Sequence, residues 1–361
     1  MKFSRLLPIL VLLFCCLGLS AQDVHYTLFN MSPLRTNPAL TGAFNGTARI
    51  GGIHRGQWFN IDASIATTSF YADAPIIRGF RDTDWVGVGF NFLNDQAGAQ
   101  DLITNIAGLS ASYHLALDKK ANSMLTLGAT YGQNSRRLKG GEFLAEQNIG
   151  EEFGGGPTGT ETEFANVAAM EDNTSYNDVS VGLLYRNQID KTSKLELGIA
   201  ALHVNAPNAG LNGLGATMPG PNPNPNPPTT GNPDDSDRRM TFITHGKFER
   251  PINEKWSMAP TFFWQTTEAG GNEIMLQAWV GRKVNEDMTL NFGLGGRTGD
   301  AAQILFGIDY QDWRTALSYD VNVSSATAIT NGVGGFELAA YYIIKVYKTP
   351  ELPPAVLCPK F

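Results

Sequence analysis

Apolar and polar residues alternate along much of this chain. In MTLNFGLGGRTGD, Met288, Leu290, Phe292 and Leu294 fall on one side, and Thr289, Asn291, Gly293 and Gly295 on the other. A period of two marks a strand with unlike faces. The same alternation recurs. Val86, Val88, Phe90 and Phe92 oppose Gly87, Gly89 and Asn91; Ile304, Phe306, Ile308 and Tyr310 oppose Gln303, Gly307 and Asp309. Further copies start at Leu125, Val179, Ile274 and Phe336, and weaker ones lie at 47–55, 63–72, 102–115, 195–205, 240–250, 256–265 and 313–322. This predicts about 14 strands, an even number, each near the roughly 10 residues that a tilted membrane strand needs. A soluble sandwich would bury the apolar face; a membrane barrel turns it to lipid and keeps the polar face inside.

The connections discriminate between the two. Counted from the first strand, the even ones are mostly tight: LDKKANS, QIDKTSK, PINEK, VNED and QD. The odd ones include 133–177, 206–239 and VSSATAITNGVGG. Bacterial barrels have short periplasmic turns and long outer loops. The expectation is therefore an all-β transmembrane antiparallel barrel over 47–347, with long extracellular loops and both termini periplasmic. The second connection, DAPIIRGFRDTD, is longer than this rule predicts. Tyr185, Trp256, Tyr310, Trp313 and Tyr347 fall at expected periplasmic strand ends, where amphipathic rings form an interfacial girdle. In MPGPNPNPNPP, proline at alternate positions from Pro219 to Pro227 forbids a strand ladder and favours an extended polyproline spacer.

Composition agrees with lipid as the outer solvent. Charged residues make up only 17%, below the usual quarter, while the chain holds 39 glycines and 10% aromatics. Lys2 and Arg5 precede an apolar run, Leu6 to Leu19, and then Ala21, which reads as a secretory signal peptide over 1–21. Cys15 and Cys16 follow bulky Leu13 and Phe14, which disfavours a lipoprotein anchor. Removal of Lys2 and Arg5 takes the formal charge from 27 − 34 = −7 to 25 − 34 = −9. An acidic chain without a basic stripe is no nucleic-acid binder. Only Cys358 remains after processing, so no disulfide framework or cysteine metal site is expected.

Nothing carries a reaction or a cofactor. GGGPTG (Gly154–Gly159) matches G-x-G-x-x-G in form but lies in a loop with no strand before it. His25, His54, His114, His203 and His245 are dispersed, and Asp234, Asp235 and Asp237 lack the glycine and distal glutamate of a calcium loop. His203 and Asn205 share a strand face with no serine partner. A non-enzymatic protein is expected.

The strand boundaries carry a resemblance. FNMSPLRTNPALTGAFNG and IHRGQWFNID, with their NPA-x-G and R-x-QW patterns, LHVNAPN (Leu202–Asn208), and GGRTGDAAQILFGIDYQDWRTALSYDVNVSSATAITNGVGGFELAAYY resemble, in order, the PorP/SprF family of Bacteroidota outer-membrane proteins. The tail CPKF also fits. The resemblance implies an accessory barrel of the type IX secretion and gliding machinery. Its implied partners are secreted surface proteins or adhesins and components of that machinery. The family signature falls on Asn37, Pro38, Gly42, Arg55, Gln57, Trp58, His203, Asn205, Pro207, Arg297, Asp300, Tyr319, Asp320, Gly335, Phe336 and Glu337.

Each of these also has a reading in structural terms. Gly42 and Gly335 suit turns or close backbone approach; Tyr319 and Phe336 fit the lipid face; Arg297, Asp320 and Glu337 fall on the lumen face as a polar network. Residues 22–46 contain Tyr26, Leu28, Phe29, Met31 and Leu34, whose apolar content needs burial, and the lumen is the nearest place. A plugged barrel suits an anchor that binds proteins; an open one would be a diffusion porin. Residues 348–361, with four prolines, cannot add a strand and are expected as a periplasmic tail.

Overall fold

The computed structural model describes residues 24–61, 64–78, 83–98, 102–138, 172–210, 237–268 and 270–346. The expected signal peptide, the Gly154–Gly159 motif, the proline-rich run, Asp234, Asp235, Tyr347 and the tail with Cys358 lie outside them.

Fourteen strands alternate up and down. The first seven are β1 (Ala48–Gln57), β2 (Ile65–Arg78), β3 (Trp85–Ala97), β4 (Leu102–Ala116), β5 (Ser123–Leu138), β6 (Asp172–Gln188) and β7 (Lys194–Leu202). The others are β8 (Thr241–Pro251), β9 (Trp256–Thr267), β10 (Asn272–Lys283), β11 (Met288–Arg297), β12 (Ala301–Tyr310), β13 (Trp313–Asn322) and β14 (Val333–Ile344). Each pairs antiparallel with its sequence neighbours, and β1 pairs with β14 from Ala48↔Ile344 to Gln57↔Gly335, closing the ring. Closure removes every sheet edge, which lets a sheet stand in hydrocarbon.

The two faces are inverted relative to a soluble protein. Phe70, Leu109, Leu127, Leu276, Phe292, Leu294 and Leu338 point outward and are exposed, while Arg49, Arg55, Asp73, Glu273, Arg297, Asp320 and Glu337 are buried inside. Leu294 is 67% exposed and Arg297, on the same strand, 4%. Only lipid outside makes that distribution favourable.

Three boundaries differ from expectation. β2 continues to Arg78, where a loop from Asp73 was expected. Pro75 sits at a register shift to Ile77, and a bulge accommodates the residue that has no amide hydrogen to donate. β5 and β6 extend toward each other, so the connection is 139–171, not 133–177. β7 ends at Leu202, and His203 turns out of the strand at φ +58°, so His203 and Asn205 do not share a strand face.

The short turns lie at one end, the near end, with the start of β1 and the end of β14. The long connections lie at the other, the far end. Asx side chains close the near turns: Asn253 Oδ1 accepts from the Lys255 and Trp256 amides, and Asp190 Oδ1 from those of Thr192 and Ser193. Those two amides hold the Asp190 carboxyl well below the usual carboxylate range. Trp256, Tyr310 and Trp313 are exposed at this rim.

Residues 24–46 run through the lumen. They form short turns of helix at Phe29–Met31, Pro33–Thr36 and Pro38–Leu40, with Tyr26, Leu28, Phe29, Leu34 and Ala39 buried. We call this segment the strap. It starts at the far end and reaches the near end at Thr47, whose amide donates to Ile344 O. The described chain thus begins at the far end while β14 ends at the near end; the residues ahead of 24 and after 346, on which the expectation of two periplasmic termini falls, lie outside the described residues. A segment that packs inside β1 and runs opposite to it must begin at the far end.

Candidate functional site: a strap seated in the lumen

At the far end a charged cluster grips the strap. Glu337 Oε1 and Oε2 accept from the Thr27 and Leu28 amides, each at 2.7 Å. Thr27 Oγ1 donates to Asp320 Oδ2 at 2.8 Å and accepts from Arg297 Nη2 at 2.6 Å. Arg297 also donates to Asp320 at 2.9 Å and Asp300 at 2.6 Å, and stands 3.6 Å from Glu273. Arg55 faces Glu337 at 3.6 Å and donates to His25 O. His25 lies 3.2 Å from Glu273. Gln277 donates to Thr27 O at 2.8 Å and to Gln303 at 3.0 Å. Strands β1, β10, β11, β12, β13 and β14 thus converge on three strap residues.

Midway, the strap meets a wall from which side chains are missing. Asn37 Nδ2 donates to Leu183 O at 3.1 Å and Ile199 O at 3.2 Å and lies 3.1 Å from His245 Nε2, while its Oδ1 caps the next helical turn at Ala39 N, 2.9 Å. Pro38 supplies the fixed φ at the start of that turn. A Cβ on Gly182 would overlap Asn37 Oδ1, one on Gly128 the Pro38–Ala39 backbone, and one on Gly89 would stand 2.7 Å from Leu34 Cδ2. The wall is shaped to the strap. A cavity of about 20 Å³ remains beside Leu34, Arg35, Asn91, Thr130 and Asn134; this is room for about one water.

At the near end, Thr41 O accepts from Ser112 Oγ at 2.6 Å and contacts His114 Nε2 at 2.8 Å. A carbonyl cannot donate, so the His114 proton lies on Nε2, and Nδ1 accepts from Thr126 Oγ1 at 2.9 Å. Gly42 adopts φ +66°, its amide donates to Asp73 at 2.7 Å, its carbonyl accepts from Trp85 Nε1 at 3.1 Å, and an added Cβ would lie 2.7 Å from Gly87 Cα. Asp73 takes two hydrogen bonds from Arg49, at 2.9 and 2.8 Å, and the Arg49 guanidinium lies 4.8 Å from the centre of the Phe44 ring. Ala43 O accepts from Arg186, which also pairs with Glu196 at 2.6 Å.

The signature residues thus divide into five places. Arg55, Arg297, Asp300, Asp320 and Glu337 form the far cluster. Asn37, Pro38 and Gly42 lie on the strap itself. His203, Asn205 and Pro207 close the far end of β7. There, His203 Nε2 accepts from Arg238 Nε at 3.2 Å, so Nδ1 carries the proton toward Asp178 at 2.8 Å. Asn205 bonds the β6 backbone at Val179 N and Asn177 O, both 2.9 Å, and Pro207 O accepts from Arg238 N at 2.8 Å. Gln57 ends β1 opposite Gly335, and Trp58 follows at φ +53° with its amide on Gly334 O. Tyr319 and Phe336 face outward.

Sequence reasoning did not single out His25, Thr27, Arg49, Asp73 or Glu196 as parts of a site. For Arg49 and Asp73 a signal existed: they are directly paired across β1 and β2 on the inward parity. Thr27 gave no such signal, because its partners lie some 250 to 310 residues away. No group of His, Cys, Asp and Glu that could hold a metal occurs among the described residues.

The model of one protein family, described as type IX secretion system membrane protein PorP/SprF, matches residues 18–342. No curated protein matches the chain. Among solved structures, the chain is similar to the P. putida toluene transporter TodX, at 11% identity and a TM-score of 0.46, covering 87% of this chain and 94% of that one. It is also similar to a Pseudomonas aeruginosa FadL homologue, at 12% identity and a TM-score of 0.44, covering 86% and 94%. The closed ring of strands, and not these likenesses, establishes the fold.

Proposed function

The chain belongs to the PorP/SprF family of type IX secretion system membrane proteins, and on that premise we propose that it is a sealed outer-membrane barrel that works by binding proteins. Its partners are secreted surface proteins or adhesins and components of the secretion machinery, which it helps to export or to hold at the surface. No chemical step is part of this role. In the proposed orientation the long connections face the exterior and the end of β14 faces the periplasm.

One observation carries the reading against a diffusion porin: the inner wall is cut to the strap. Gly87, Gly89, Gly128 and Gly182 stand where a side chain would collide with Thr41, Leu34, Pro38 or Asn37. An open diffusion pore has no use for a wall fitted to a peptide. The test has two arms. In planar bilayers the purified protein should show near-zero single-channel conductance, and deletion of 24–46 should raise it to a porin-like level. Crosslinking and mass spectrometry on native outer membranes should recover type IX components or their cargo. High conductance of the intact protein would overturn the sealed barrel, and crosslinks confined to unrelated neighbours would overturn the binding role.

A further inference from the structure

The chain runs through its own barrel in a single pass, and this fixes the side on which its N-terminal end emerges. We infer that the N-terminal end emerges at the mouth of the long connections, on the opposite side of the membrane from the end of β14. The N-terminal end and the end of β14 then face different compartments, joined by a strap that fills the lumen.

The order of contacts along the strap carries this. Thr27 is held by Arg297 at the far end of β11, by Asp320 close to the far end of β13, and by Glu337 in the far half of β14. Leu34 and Asn37 lie farther along, against Gly89 of β3 and the Leu183–Ile199 pair of β6 and β7. Thr41 meets Ser112 and His114, close to the near end of β4, and Gly42 meets Trp85, the first residue of β3. Thr47 joins Ile344, the last residue of β14. Contacts pass from the far end at Thr27 to the near end at Thr41, Gly42 and Thr47, so the strap does not enter and leave by the same mouth. The span fits: a ten-residue strand such as β1 rises about 33 Å along its own axis and, tilted by about 40°, covers roughly 25 Å of barrel height. A strap of mixed turns and extended residues covers that height.

The strap is seated by the wall at mid-depth, where a Cβ at Gly182 would collide with Asn37 and one at Gly128 with Pro38 and Ala39.

The test compares sides and does not depend on which side is outside. Three single-cysteine variants are made in a Cys358→Ser background: Asp23→Cys ahead of the strap, Thr229→Cys in the proline-rich connection, and Val346→Cys after β14. Each is exposed to a membrane-impermeant maleimide in intact cells and again after permeabilisation. Asp23→Cys and Thr229→Cys should label under the same condition, and Val346→Cys under the other. Labelling of Asp23→Cys together with Val346→Cys overturns the inference. Should position 23 resist labelling from both sides, a short epitope placed ahead of it is read with antibody in the same two states. An epitope that follows Val346 overturns the inference, and one that follows Thr229 sustains it. This comparison stands whether or not the protein binds secretion partners, so its failure and that of the proposed function are separable.

Discussion

Replacing Arg297 by methionine should cost far more than replacing Glu337 by glutamine, although both residues grip the strap. The far cluster holds two guanidiniums, Arg55 and Arg297, and three deeply buried carboxylates, Glu273, Asp320 and Glu337. Asp300 is about a third exposed and largely screened. The buried formal charge is therefore 2 − 3 = −1. Arg297→Met takes it to 1 − 3 = −2, leaves Glu273 and Asp320 without their nearest guanidinium, and removes the donor at 2.6 Å from Thr27 Oγ1. Breaking a buried pair from one side costs about 3–5 kcal/mol. Glu337→Gln takes the sum to 2 − 2 = 0. It keeps one acceptor for the Thr27 and Leu28 amides and turns the other into a donor facing a donor. That loss is worth about 1.5–3 kcal/mol, the range for hydrogen bonds to charged groups, and the relief of repulsion from Asp320 offsets part of it. Urea titrations in phospholipid vesicles, with the folded fraction read as heat-modifiable gel mobility, would measure both. If Glu337→Gln cost as much as Arg297→Met, or if each cost under about 1 kcal/mol, charge balance would not be what holds the strap.

Three further outcomes follow from the same geometry. Phe292→Arg places a charge on the lipid face and should cost about 2–4 kcal/mol near the midplane, whereas Arg at Asn291, on the lumen face, should cost less; the same titration separates them, and equal costs would refute the face assignment. Gly182→Ala should destabilise the barrel more than Gly307→Ala, because the first Cβ meets Asn37 while the second has its nearest neighbour, Thr315 O, at 3.3 Å; equal midpoints would show that the strap yields to the wall. Gly42→Ala combines a left-handed φ of +66° with a Cβ 2.7 Å from Gly87 Cα, so its unfolding midpoint should fall and the Trp85 fluorescence should change as the Gly42 O contact is lost; an unchanged spectrum would refute the seating at the near end.

The strands were legible because each repeats one inversion, apolar out and polar in, over the height of the hydrocarbon. Legibility failed where that inversion stops. The far ends of β5 and β6 carry Gln133, Asn134 and Ser135 against Ser175, Tyr176 and Asn177; beyond the lipid both faces are polar, so the alternation vanishes while the ladder continues. Pro75 reads as a turn signal from sequence, yet a bulge absorbs it and β2 runs on. Counting strands gave the relation between the start of β1 and the end of β14, but a parity argument says nothing about a segment ahead of the first strand. The apolar residues of that segment indicated burial without its direction, since its partners Glu337, Asp320 and Gln277 are distant in sequence.

The inward glycines carried more information than their polar-face position suggested. Eight strands already leave an interior that side chains can fill, and a wider ring leaves space. On such a wall a missing Cβ saves no volume that water would not occupy anyway. Glycine at 87, 89, 128 and 182 becomes a requirement only when a peptide lies against the wall, and at each of these positions one does: strap backbone of Thr41 and of Pro38–Ala39 at 87 and 128, the Leu34 and Asn37 side chains at 89 and 182. A run of inward glycines on neighbouring strands of a wide barrel is thus a sequence signal for a bound peptide, and in this chain the peptide is its own N-terminal segment.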